Sequence, residues 1–206
     1  MSITYLGPRF EIHGGGQDLI FPHHESEIAQ SEAATGESPF VLWWMHAGML
    51  RYHGEKMSKS LGNLVLVQDL LRSWSGDAIR HYLIAHHYRD ELDFNETVLE
   101  SSSVAAARLR LACRLAEELE PLAPALADVD ELRTIVAQHR ERFLAAMDDD
   151  LDTPGAMSVL DELAELALGA GDDHLAAQAG WMIRELGARI LGLRLATAPT
   201  AVEVAA

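Results

Sequence analysis

The chain of 206 residues holds two lysines, Lys56 and Lys59, and both fall within Lys56-Met57-Ser58-Lys59-Ser60. Its other cations are arginines, and the formal net charge is −16. Binding nucleic acid depends on neutralising phosphates. Residues 1–95 carry seven Lys/Arg against twelve Asp/Glu, and residues 96–206 carry nine against twenty. Residues 96–206 are therefore a poor platform for RNA, and any RNA contact is expected at local arginines, first among them Arg108, Arg110 and Arg114, or on a part of a longer protein that is absent here. Cysteine is nearly absent: Cys113 stands alone. That excludes an internal disulfide and any metal site needing two thiolates from this chain. No apolar run approaches the roughly 18 residues that span a bilayer. The N-terminus lacks the basic-then-apolar layout of a secretory signal. A cytoplasmic setting without a membrane partner is the expectation.

What is present is concentrated in the first 95 residues, which hold eight of the ten histidines. Lys56 and Lys59 lie in Gly54-Glu-Lys-Met-Ser-Lys-Ser-Leu-Gly-Asn63. An ammonium group is a compact point charge suited to polyphosphate oxygens. Small Ser and Gly neighbours let the loop backbone approach a ligand. A bare K-x-x-K is more often a solvated basic turn; the longer string is the more specific signal. Gly14, Gly15 and Gly16, followed by Gln17 and Asp18, form a candidate nucleoside site. Glycine lets backbone contact a base and sugar, and a carboxylate accepts from ribose hydroxyls. His23 and Glu27 share a helix face at i,i+4 spacing. Imidazole with carboxylate can ligate Zn²⁺, although a solvated face is the plain alternative. Phe40, Trp43, Trp44 and Met45 read as core. Asp148, Asp149, Asp150 and Asp152 lack the spacing of a calcium loop and read as a solvated helix start.

The pattern predicts α/β structure followed by an all-α region. Residues 1–68 read as α/β, with a strand at Phe10–His13 running into a tight glycine loop. A helix spans about His24 to Ala34, with Pro22 at its first turn. A buried strand is expected at Phe40–Met45, and a shorter one at Leu64–Val67. Residues 69–95 read as a helical connection, with Asp77 as a cap or first-turn acid. Residues 96–195 read as a helical bundle. Its first helix, about Glu96 to Glu120, is expected to bury Val104, Leu111, Leu115 and Leu119 and to stop at Pro121 and Pro124. Further helices are expected over about 128–147, 153–168 and 172–191. Residues 196–206 read as a tail.

The lysine string resembles the second signature of class I aminoacyl-tRNA synthetases. Phe10-Glu-Ile-His-Gly-Gly-Gly-Gln-Asp-Leu-Ile-Phe-Pro-His-His-Glu-Ser-Glu-Ile-Ala-Gln30, Trp44-Met-His-Ala-Gly-Met49, His86-His-Tyr-Arg89 and Asp148–Ala156 are similar to cysteinyl-tRNA synthetases. The resemblance runs from about Ser2 to about Leu193. It implies the C-terminal half of a Rossmann-like catalytic domain, a stem-contact-like connection and a helical bundle. It implies the substrates L-cysteine, ATP and tRNA(Cys), with Lys56, Ser58, Lys59 and Ser60 serving the phosphates. Gly14, Gly15, Gly16 and Asp18 would meet the nucleoside. His46 would lie near ATP, and His13 near the substrate side chain. His23 and Glu27 would hold one Zn²⁺ together with two cysteines from elsewhere.

Those cysteines and the family's first signature, His-x-Gly-His, do not occur here. The chain is thus expected to be the downstream part of a longer protein, with Met1 an alternative start, a gene-model artefact, or the start of one half of a split protein that pairs with its N-terminal half. Two rival readings stay open. One is a relative that joins cysteine to an amino sugar in mycothiol synthesis. The other is a non-catalytic binding module. His13 and Glu27 resemble the synthetase more than the mycothiol ligase.

Overall fold

The computed structural model of the chain describes residues 2–58, 60–119 and 130–195, at backbone level alone for 130–133. Lys59, the helix stop at Pro121 and Pro124, and the tail 196–206 lie outside the described residues. The chain divides into two compact units, Met1–Leu64 with Tyr88–Phe94, and Val65–His87 with Asn95–Ala206.

The first unit begins with a short helix, α1 (Ser2–Leu6), and then strand β1 (Phe10–Gly16). A 3-10 turn (Gln17–Leu19) and a π turn (Ile20–His24) lead into helix α2 (Glu25–Thr35). Strand β2 (Val41–Ala47) lies parallel to β1, with Phe10 opposite Val41 and Gly16 opposite Ala47. The three glycines therefore continue the ladder and are not the expected loop. Pro22 is not in the first turn of α2 either; it lies in the π turn, three residues before the helix begins.

Phe10, Phe40 and Val41 form the buried core of this unit, with Ile28 and Trp44 packed against it. Phe10 and Phe40 meet edge to face, with ring centroids 5.0 Å apart. Trp43 and Met45 depart from the expected core: Trp43 is 63% exposed and Met45 is exposed too. Strand alternation sends them to the face opposite Trp44.

A smaller sheet has the order β4-β3-β5. Strands β3 (Leu50–Tyr52) and β4 (Glu55–Lys56) are joined by His53 and Gly54, at φ 54° and 78°. Two consecutive left-handed residues give the hairpin turn that matches strand twist. Strand β5 (Leu92–Phe94) pairs parallel with β3. Arg51 of β3 clamps Glu91 through two bonds of 2.8 Å. Residues 88–94, expected as part of a helical connection, thus return to the sheet.

The second unit is helical. Residues 64–66 form no strand, because the Leu66 carbonyl accepts from Asp69 and Leu70 and so opens α3 (Val67–Leu70). Helix α4 (Gly76–Ile84) is capped by Ser75, whose Oγ accepts from Ala78 N at 3.1 Å. Asp77 is a first-turn acid, and its carboxylate accepts from the Arg194 and Leu195 amides at 2.7 and 2.9 Å. Helix α5 (Glu96–Leu119) is followed by α6 (Asp130–Asp148). Asp152 caps α7 (Thr153–Gly169), where Pro154 stands in the first turn. Asp172 caps α8 (Asp173–Ile183), after which a π turn covers Arg184–Ala188. Leu109, Phe143, Leu160, Leu163 and Ile183 are fully buried among these helices.

The expected face of α5 is wrong. Val104 and Leu111 are 60% and 53% exposed, while Leu99, Ser102, Ala106, Leu109, Ala112, Cys113 and Ala116 are buried. The buried stripe is mostly small because α8 comes close. A Cβ placed on Gly180 would collide with the Ala112 carbonyl and lie 2.7 Å from Ala116 Cβ.

Candidate nucleotide and metal site

The sequence-singled residues of the first unit gather at the glycine end of β1 in two groups. The first is a stack of rings around Glu27. His13 lies on Trp44 with centroids 4.8 Å apart and planes 20° apart. Trp44 and His46 alternate along β2, so they share a face and are parallel within 3°. His24 closes the group, with its Nδ1 2.8 Å from His46 Nε2. Its ring lies over β1: a Cβ on Gly15 would sit 2.8 Å from His24 Cε1. Glycine is required there for close approach. Burial pushes the His24 imidazole below its ordinary range, and the neighbouring His13 and His46 push the same way.

Glu27 sits between two imidazoles. His23 Nε2 is 3.5 Å from Oε1, and His13 Nε2 is 3.5 Å from Oε2. His13, His24 and Glu27 each offer a ligand atom within 4.8 Å of the others. Glu27 Oε2 and His13 Nδ1 are buried and have no hydrogen-bond partner among the described residues. An orphaned carboxylate oxygen beside imidazole nitrogens fits a zinc ion, which takes both ligand types. The i,i+4 placement of His23 and Glu27 is as the spacing predicts.

The second group joins the glycine strand to the lysine loop. Lys56 Nζ lies 2.6 Å from Asp18 Oδ2. This contact holds the Asp18 carboxyl below its usual range. Asp18 folds back on Gly16, where a Cβ would be 2.6 Å from Oδ1. The loop beyond Lys56 is stapled by Asn63. Its Oδ1 accepts from Ser58 N at 2.9 Å, and its Nδ2 donates to the Lys56 carbonyl at 3.2 Å. Ser58 and Ser60 hydroxyls are 3.1 Å apart.

Sequence reading missed three features here. Trp44 packs against the core as expected and is also a half-buried platform for two histidines. Its alternation with His46 carried that signal. Asn63 was part of the string without a role. The Lys56–Asp18 contact spans 38 residues, and no local spacing announces it.

The family model for the tRNA synthetases class I (C) catalytic domain matches residues 1–104, and that for the DALR domain matches residues 142–196. A cysteine–tRNA ligase of Heliobacterium modesticaldum is 43% identical over 95% of the chain and 44% of its own length. That of Pseudomonas paraeruginosa is 46% identical over 89% of the chain and 37% of its own. The chain thus spans less than half the length of these curated relatives. Among solved structures, the Agrobacterium radiobacter LeuRS in its ternary complex with tRNA and LeuAMS aligns with a TM-score of 0.69. It covers 94% of this chain and 28% of that one, at 18% identity, and shows likeness of fold alone. By the match to its first 104 residues, the chain belongs to the family of class I (C) tRNA synthetase catalytic domains.

Proposed function

We propose that this chain supplies part of a cysteine–tRNA ligase, which activates L-cysteine with ATP and passes it to tRNA(Cys). The observation that carries the reading is the contact of Lys56 with Asp18 in the same unit as Glu27, whose two oxygens lie 3.5 Å from the imidazoles of His23 and His13. It supports a reading in which Asp18 accepts from the ribose and Glu27 helps to hold a metal. Residues 1–68 would belong to the nucleotide-binding domain, 69–95 to a connection, and 96–195 to a helical bundle. A cytoplasmic setting accompanies this reading.

The chemistry asks little of a base. The cysteine carboxylate is ionised at neutral pH and attacks the α-phosphate of ATP, giving cysteinyl-adenylate and pyrophosphate. The rate then depends on positioning and on stabilising phosphate charge. Asp18 would accept from the ribose hydroxyls, and the backbone at Gly14, Gly15 and Gly16 would lie against the nucleoside. His46 would line the nucleotide side, and His13 the amino-acid side chain. Lys59, with the hydroxyls of Ser58 and Ser60, would neutralise the departing pyrophosphate. His23 and Glu27 would hold zinc, which when bound supplies a soft partner for the thiolate of the substrate and so discriminates against serine.

The test is cysteine-dependent ATP–pyrophosphate exchange by the complete gene product. Lys59→Ala should lower the rate about 100-fold or more, as for loss of one preorganised charge-stabilising group. Exchange unchanged in that variant, or absent in the wild type, would overturn the reading.

A further inference from the structure

We propose that Lys56 is a positioning residue for the ribose carboxylate of Asp18 rather than a ligand of the departing pyrophosphate. The role rests on the nucleotide reading above.

Both partners start from fixed backbone. Lys56 is the last residue of β4 and pairs with Arg51 in the ladder. Its own carbonyl is held by Asn63 Nδ2. Asp18 lies in the 3-10 turn after β1, with Oδ1 packed against Gly16. Ser58 follows β4, held to Asn63 through its backbone N–H. Lys56 therefore extends from the strand ladder itself.

The contact also leaves Asp18 room to work. Lys56 engages Oδ2 at 2.6 Å. A carboxylate has about four lone-pair sites, so acceptor capacity remains for ribose hydroxyls. The ammonium fixes which way the carboxylate faces. Lys56 and Asp18 are 53% and 43% exposed. Exposed pairs contribute little to folding. The pair's effect should therefore appear in nucleotide binding and not in stability.

This assignment separates the two lysines experimentally. Exchange is measured in the complete gene product with ATP and with 2′,3′-dideoxy-ATP, which lacks the hydroxyls that Asp18 would receive. With ATP, Lys56→Met should raise KM about tenfold, the effect of one charge-assisted hydrogen bond, and leave kcat near wild type. With the dideoxy analogue the same substitution should have no effect. Lys56→Arg should keep most of the ATP affinity. Asp18→Asn should raise the ATP KM, and adding Lys56→Met to it should raise it no further. The melting temperature of Lys56→Met should match wild type. A Lys56→Met penalty that persists with the dideoxy analogue, adds to Asp18→Asn, or falls on kcat would place the lysine on the phosphates and overturn the proposal. A wild type without cysteine-dependent exchange would instead sink the functional reading, and this role with it.

Discussion

Cys113 is 1% exposed, and its thiol donates to the Gly180 carbonyl at 3.6 Å. Burial pushes that thiol up to about 12. A thiolate is the reactive species, so a thiol held protonated in apolar surroundings is inert. The native chain should therefore resist a thiol-specific reagent near pH 8 and take up one equivalent only when denaturant is added. Fast labelling of the native chain would contradict this burial. His81 offers a second test at this scale. It is buried, with both ring nitrogens lacking a hydrogen-bond partner among the described residues. Burial pushes its imidazole below the ordinary 6.5, against the pull of Asp161. The unfolded imidazole protonates first as pH falls, so the unfolded state binds more protons below about 6.5 and stability declines there. The contribution is full above that value. His81→Leu should flatten this decline, read as a smaller loss of urea midpoint between about pH 7.5 and about pH 5.5. An unchanged slope would remove His81 as its source.

Helix and strand positions were legible where a strong local signal exists. Asp152 before Thr153-Pro154 and Asp172 before α8 are caps, and both helices begin there. The face of α5 was not legible. Val104 and Leu111 carry more apolar surface than Ala112 and Ala116, so periodicity alone favours the wrong stripe. Close approach of α8 decides instead, and it selects for small size. Gly180 is the corresponding gap on the other helix. Gly180→Ala should raise helix propensity yet destabilise the unit by about 1–3 kcal/mol, because the new methyl meets the Ala112 carbonyl. Chemical denaturation measures this; a stabilised variant would show that the two helices can part at no cost. The same limit applies to the site. His23 with Glu27 and Gly14–Gly16 with Asp18 were legible as local spacings. The His24–His46 bond and the Lys56–Asp18 pair join distant segments, and only the parallel register of β1 with β2 and the return of β4 bring them together.

Across the whole chain, apolar burial and charge are unevenly shared. The first unit has a small core at Phe10, Phe40 and Val41, whereas the second holds a continuous cluster that includes Leu109, Phe143, Leu160, Leu163, Ile183 and Leu193. Slow amide exchange follows buried packing. Amides of α5, α7 and α8 should exchange most slowly, and those of β1 and β2 sooner; equal protection would contradict this. The charge argument concerns RNA. Residues 96–206 carry a net −11, nine Lys/Arg against twenty Asp/Glu. Of the arginines first suspected, Arg108 faces Glu165 at 3.4 Å and Arg114 faces Glu118 at 3.2 Å. Arg142, Arg184 and Arg189 are likewise held by Glu162, Glu117 and Glu185. A guanidinium committed to its own carboxylate must break that contact to neutralise a phosphate. Binding of tRNA by this 206-residue chain should therefore be weaker than micromolar at about 0.15 M salt and should fall steeply as salt rises. A filter-binding titration measures both. Submicromolar affinity that prefers cysteine tRNA would show that these arginines exchange glutamate for phosphate readily. Charge reversal at Glu165 and Glu118 would then be the way to find which of them does so.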